Sequence, residues 1–171
     1  MENMEKMEND AYNPTNVPTN VPLYGTIYSG PNKLGDFNWM CQQQLYSNAL
    51  FIFNDNEEYH DTCRQGAGNA VARKFNKHNE KLTKPQSAGI PTGTLEFGGY
   101  QKLDSHVISV VSGAIAEIKE LLSKYKYDGI FYSVGANDKL GTGIFEVDPQ
   151  VIDYIDEQIK QLSKQHVQIL K

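Results

Sequence analysis

Asn54-Asp55-Asn56 stands at the end of an apolar run, Ala49-Leu50-Phe51-Ile52-Phe53, and is followed by Gly66-Ala67-Gly68-Asn69-Ala70-Val71, which opens into Ala72-Arg73-Lys74-Phe75. Amides and a carboxylate at the end of a strand can hold ribose hydroxyls or a base. Glycines just ahead of a helix let a ligand approach backbone N–H groups at the positive end of the helix dipole. That is chemistry for a phosphate or another anion. A second segment of similar character, Lys139-Leu140-Gly141-Thr142-Gly143-Ile144-Phe145, follows another apolar strand. Two such loops on one small domain point to a diphosphate or a nucleotide. The alternative is an α/β domain whose glycines serve ordinary tight turns, since one Gly-x-Gly spacing is a weak signal.

Each residue type carries a role and a competing one. Asn54 and Asn56 bracket the strand end; Asn56 either positions a ribose or closes an Asx turn. Asp55 accepts a hydrogen bond from an adenine amino group or a ribose hydroxyl, or is a solvated acid. Gly66, Gly68 and Asn69 bring backbone N–H groups to a diphosphate, or start a helix that needs small residues. Gly141, Thr142 and Gly143 do the same from the opposite side, with the Thr142 hydroxyl as a further donor. Phe145 stacks on a ribose or base, or joins the core. Arg73 neutralises phosphate, or is a surface charge. His60-Asp61, Cys63 and Asp104-x-His106 match no strong metal-binding spacing, so neither a metal nor a cofactor is expected. Gly-x-Ser-x-Gly is absent.

These residues need a scaffold. A continuous apolar run bounded by turn residues reads as a strand buried on both faces. Residues 24–29 are β-prone, Gly30-Pro31-Asn32 is a turn, and Asp36 is placed to cap a helix through Phe37, Trp39, Met40 and Leu45. Residues 76–86 read as a loop, and Ala88–Gly93 as a short strand that breaks at Pro91. Asp104 starts the strongest helix, in which Val107, Ile108, Val110, Val111, Ala114, Ile115, Ile118, Leu121 and Leu122 recur at helical spacing. Asp128–Val134 is a strand. Pro149 sits at the first turn of a last helix with the stripe Val151, Ile152, Ile155, Ile159 and Leu162. Strands alternating with helices predict a three-layer α/β/α domain with a mostly parallel central sheet, whose ligands bind at the carboxyl ends of the strands.

Composition sets the outer bounds. At 171 residues the chain reads as one domain, residues 23–171, behind an Asn/Pro/Thr-rich tail, residues 1–22, that is too poor in large apolar groups to pack. Hydrophobic residues make up 39%, enough for a core without staples. A net charge of −5 argues against generic nucleic-acid binding, which leaves a basic footprint. Cys41 and Cys63 are too few and too far apart for a disulfide framework or a zinc ribbon. No apolar run reaches membrane-spanning length and no signal-peptide pattern opens the chain, so a soluble, cytoplasmic protein is expected.

The order of these pieces resembles a macro domain, the family that binds ADP-ribose and related nucleotides. The matching stretches are Phe53-Asn54-Asp55-Asn56, Gly66-Ala67-Gly68-Asn69-Ala70-Val71 and Gly141-Thr142-Gly143-Ile144-Phe145. In the family these correspond to an Asn-rich strand end, a glycine-rich helix opening and a late loop around the phosphates. The resemblance implies an ADP-ribose-like ligand held between the two glycine loops, with Asn56 against the distal ribose. Here Asp55-Asn56 replaces a small-residue pair, and Ala67 stands where the family has glycine. Ser87–Gly93 and Gly98-Gly99-Tyr100 have no counterpart in the family. Three functions follow as alternatives: a binding module that recognises or sequesters a nucleotide, an ADP-ribosyl hydrolase, and an interaction domain without a ligand.

Overall fold

The computed structural model describes residues 18–171. Its frame is a six-stranded sheet in the order β4-β3-β2-β5-β1-β6. The strands are β1 (Leu23–Thr26), β2 (Ala49–Asn56), β3 (Ser87–Thr94), β4 (Gly98–Gly99), β5 (Gly129–Ser133) and β6 (Gln168–Leu170). Every neighbouring pair is parallel except β3 with β4. Among the described residues the α-helices are α1 (Phe37–Met40), α2 (Ser105–Lys124) and α3 (Pro149–Lys160), and two tighter 3-10 segments are η1 (Gln44–Tyr46) and η2 (Gly68–Phe75). The fold is therefore mixed α/β on a mostly parallel sheet.

The continuous apolar run of β2 is buried on both faces, as its lack of alternation requires. Leu50 and Ile52 join one cluster with Val111, Ile115 and Ile118 of α2 and Val151, Ile155 and Ile159 of α3. Phe51 and Phe53, offset by one, join another with Phe37, Met40, Ala72 and Phe131. Phe51 stacks on Phe131 with ring centroids 5.1 Å apart. Each such side chain contributes roughly 1.5–3 kcal/mol by leaving water, so β2 is fixed in register by both sides at once. The helix ends follow their sequence signals. Asp104 Oδ1 accepts from Val107 N at 2.9 Å, and Asp148 Oδ2 accepts from Gln150 N at 3.0 Å beside Pro149.

Four expectations are corrected or refined. The strand containing Pro91 does not break there but runs to Thr94. Among the described residues the only strand on its outer side, β4, pairs just with Gly93 and Thr94, so Pro91 lies where no outer ladder needs its missing N–H. The helix capped by Asp36 is a single turn that ends at Met40, and Leu45 lies beyond it, 78% exposed. The segment opening at Gly68 is not an α-helix but the 3-10 segment η2, entered through a left-handed Gly68 with φ +55°. Residues 1–17 of the expected tail lie outside the described residues. Just after them, Thr19 bridges to Ser163, donating from N to Leu162 O at 3.0 Å and accepting at O from Lys164 N at 2.8 Å. The end of the Asn/Pro/Thr stretch is thus tied to the loop after α3.

Candidate functional site

A cavity of about 270 Å³ opens at the carboxyl ends of β2 and β3. Parallel strands end together there, and their following loops splay apart. Asn54, Asp55 and Asn56 form one side, and the segment from Tyr59 through Arg64 to Ala67 forms the next. Ala70 and Arg73 of η2 close the back. Thr92, Gly93, Thr94 and Leu95 come from β3 and its turn, Gly98 and Gly99 from β4, and Phe145 reaches in from the late loop. β3 approaches β4 so closely that a β-carbon on Gly93 would collide with Gly98 O, which explains why the wall there is bare backbone.

Beneath this cavity lies a buried ionic chain. Asp55 Oδ1 accepts from Arg73 Nε at 3.0 Å and from Arg73 Nη2 at 2.5 Å, with both side chains 1% exposed or less. The same oxygen accepts from Asn56 N at 2.8 Å, and Oδ2 meets His60 Nδ1 at 3.1 Å. Arg73 Nη1 donates to Arg64 O at 2.8 Å. A β-carbon at Gly89, on the neighbouring strand β3, would occupy the place of the Asp55 carboxylate. His60 Nε2 faces Glu117 Oε2 of α2 at 3.2 Å. Burial disfavours a charged His60 imidazole, but hydrogen bonds to Asp55 and Glu117 outweigh it and push its pKa up to about 9. Burial likewise raises Glu117, and the hydrogen bond and charge of His60 reverse that and hold it below its ordinary value.

The structure separates the sequence candidates into two groups. Asn54, Asp55, Asn56, Gly66, Arg73 and Phe145 line the cavity. Gly68, Asn69, Gly141, Thr142 and Gly143 do not. Asn69 spends its amide on the fold: Oδ1 accepts from Phe37 N at 3.0 Å, and Nδ2 donates to Gly35 O at 3.0 Å and Ser133 Oγ at 3.1 Å. Gly141 N donates to Ser133 O at 2.9 Å, and Gly141 O accepts from Asn54 Nδ2 at 2.6 Å. Thr142 Oγ1 bonds back to Phe145 O at 2.9 Å. Asp55 and Arg73 line the cavity as a neutralised pair rather than as free charges. Asn56 makes an Asx turn, accepting from Tyr59 N at 2.9 Å. Its Nδ2 has no hydrogen-bond partner among the described residues.

Sequence reasoning missed several lining residues. Arg64 is exposed and packs its guanidinium 4.7 Å from the centre of the Tyr59 ring, donating to the Tyr59 hydroxyl at 3.0 Å. Among the described residues it has no carboxylate partner, so it is the cavity's uncompensated cation. Its only signal was a lone arginine beside Gln65-Gly66. Gly98 and Gly99 stood out as a glycine pair but belonged to no motif. Leu95, at 59% exposed, and Phe145, also 59%, stand at the rim beside the still more exposed Phe97 and Ile144. Farther out, Glu57 Oε1 takes the Tyr100 hydroxyl at 2.5 Å and His106 Nε2 at 2.7 Å. Burial and the Glu57 contact both raise the Tyr100 pKa.

The arrangement offers close approach to glycine backbone, the free Nδ2 of Asn56, one guanidinium without a carboxylate partner and aromatic faces around a recess with no unengaged acid at its floor. Among the described residues no helix is long and apolar enough to cross a membrane. No family model, curated protein or solved structure matches the chain.

Proposed function

We propose that the cavity binds a nucleotide, ADP-ribose-like in its chemistry, and holds it without turnover. The observation that carries this reading is the coincidence of four features at one strand edge. These are the free Nδ2 of Asn56, the bare backbone at Gly66, Gly93, Gly98 and Gly99, the Arg64 guanidinium without a carboxylate partner, and the aromatic faces of Tyr59 and Phe145. Bare backbone and a guanidinium suit a phosphate, amides suit ribose hydroxyls or a base edge, and aromatic faces suit a base. The volume of about 270 Å³ sits just under the roughly 300–1,000 Å³ of drug-sized sites. One nucleoside-sized group therefore enters, and the rest of a larger ligand lies across the open rim at Leu95 and Phe145. Covering of β2 on both faces supports a three-layer arrangement of the macro type. Binding is favoured over hydrolysis because Asp55 is held by Arg73 and His60, and Glu57 by Tyr100 and His106. Neither is free to act as a base.

Calorimetry with ADP-ribose, AMP, ADP and cyclic nucleotides tests this reading. One site per chain is expected, with Arg64→Ala weakening it about tenfold or more, consistent with ~1.5–3 kcal/mol for a charged hydrogen bond, and Phe145→Ala weakening it less, by the ~0.5–1.5 kcal/mol of an aromatic stack. Absence of heat with every nucleotide contradicts the reading. Release of free ADP-ribose from a modified protein would make the chain a hydrolase.

A further inference from the structure

On the far side of the segment that walls the cavity, His60, Asp61 and Glu117 converge from two stretches of chain, and His78 of a third stretch stands beside Asp61. Ligand atoms of His60, Asp61 and Glu117 all lie within 4.8 Å of one another. His78 Nε2 is 3.9 Å from Asp61 Oδ1, is buried, and has no hydrogen-bond partner among the described residues. A recess of about 10 Å³ lies between His60, His78 and Glu117, the size of one water or one ion. We propose that His60, His78, Glu117 and Asp61 form a binding site for one divalent transition-metal ion of the Zn²⁺ type.

Three features favour an ion over a simple cluster of charges. His60 is oriented as a metal ligand is: its Nδ1 is held by the buried Asp55 carboxylate, itself clamped by Arg73, which leaves Nε2 aimed at Glu117. The two histidine-bearing stretches are stapled by Asn76, which is buried. Its Nδ2 donates to Thr62 O at 2.7 Å and its Oδ1 accepts from His78 N at 2.9 Å. The fourth ligand is adjustable, because the Asp61 side chain is 81% exposed and can swing to the ~2.0–2.2 Å that Zn²⁺ requires. Two imidazoles with two carboxylates suit Zn²⁺ and its neighbours, whereas Ca²⁺ and Mg²⁺ seek all-oxygen sets. The ion takes the place of the proton between His60 and Glu117, and Lys77, whose Nζ lies 3.8 Å from Glu117 Oε2 and whose side chain is 38% exposed, turns to solvent. Because Tyr59 and Arg64 flank His60 and Asp61 in sequence, the ion fastens the cavity wall to α2.

The test uses the full chain without a histidine tag. It is dialysed against Zn²⁺ for elemental analysis and titrated with Co²⁺ for its visible absorption. One ion per chain is expected, with Co²⁺ bands of a four- or five-coordinate site. Glu117→Gln and His78→Gln, neither of which touches Asp55, each weaken Zn²⁺ binding about tenfold or more. Substoichiometric metal in the parent overturns the proposal. So does unchanged Zn²⁺ binding in both variants, or displacement of Zn²⁺ by an equal concentration of Ca²⁺. The outcome is independent of nucleotide binding.

Discussion

The two glycine-containing loops are alike in composition and opposite in construction. Residues 66–73 are anchored from below: η2 carries Arg73 into a buried pair with Asp55, and Gly66 lies against that guanidinium and lines the cavity. Residues 139–145 are anchored at their base, where Leu140 N donates to the buried Asp156 carboxylate of α3 at 2.9 Å and Gly141 bonds to Ser133 and Asn54. Their tip stands in solvent, with Ile144 94% exposed. The difference comes from what lies beneath each loop. A buried carboxylate at the end of β2 demands a cation, and the first loop supplies it. β5 ends at Ser133, which carries no charge to neutralise. Similar glycines therefore yield a rigid wall in one case and a projecting flap in the other.

The largest expected effect breaks the first loop from below. Arg73→Met leaves the Asp55 charge buried with its main partner gone and is expected to cost ~3–5 kcal/mol in urea unfolding. Thr142→Ala at the tip of the second loop removes one exposed hydrogen bond and is expected to cost no more than ~1 kcal/mol. Equal costs would erase the contrast.

A smaller effect tests the base of the second loop. Asn54→Ala removes its amide clamp on Gly141 and is expected to cost ~1–2 kcal/mol. It should speed amide exchange through residues 140–145 while leaving residues 66–73 protected. Faster exchange in both loops together would show that they open as one unit.

The smallest effect is a pH slope. The folded-state pKa of His60, about 9, stands above the 6.5 of a free imidazole. Its contribution is therefore complete below about pH 6.5 and lost as pH rises through about 9. Measured in the presence of a chelator, stability should fall over that window in the parent and fall less in His60→Gln. Parallel slopes would show that His60 is not held charged by Asp55 and Glu117.

Much of the frame was legible because it rests on local signals. The apolar run of β2, Asp104 at the start of α2, Pro149 in the first turn of α3, and the α2 stripe each need only neighbouring residues to be recognised. The failures were non-local. η2 looked like an α-helix, because nothing near Gly68 in sequence shows that Arg73 must turn inward to Asp55, 18 residues earlier. Pro91 looked like a break because the absence of an outer strand beside it is a property of the sheet, not of the segment. At the site, Asn54, Asp55 and Asn56 were found from the strand end itself. Arg64 and the Gly98-Gly99 wall were missed because only the pairing of β3 with β4 and the path of residues 57–67 bring them to the same recess. His78 entered no metal-binding pattern, since its partners His60 and Glu117 come from two other elements.

The central claim is that the ligand sits between the ends of β2 and β3 and not on the second glycine loop. Backbone amide chemical shifts, followed while ADP-ribose is added to the parent chain, test it most directly. Perturbations are expected at residues 54–67, 92–99 and Phe145, with Gly141 and Gly143 little changed. Shifts confined to residues 139–144, or none at saturating nucleotide, would contradict it.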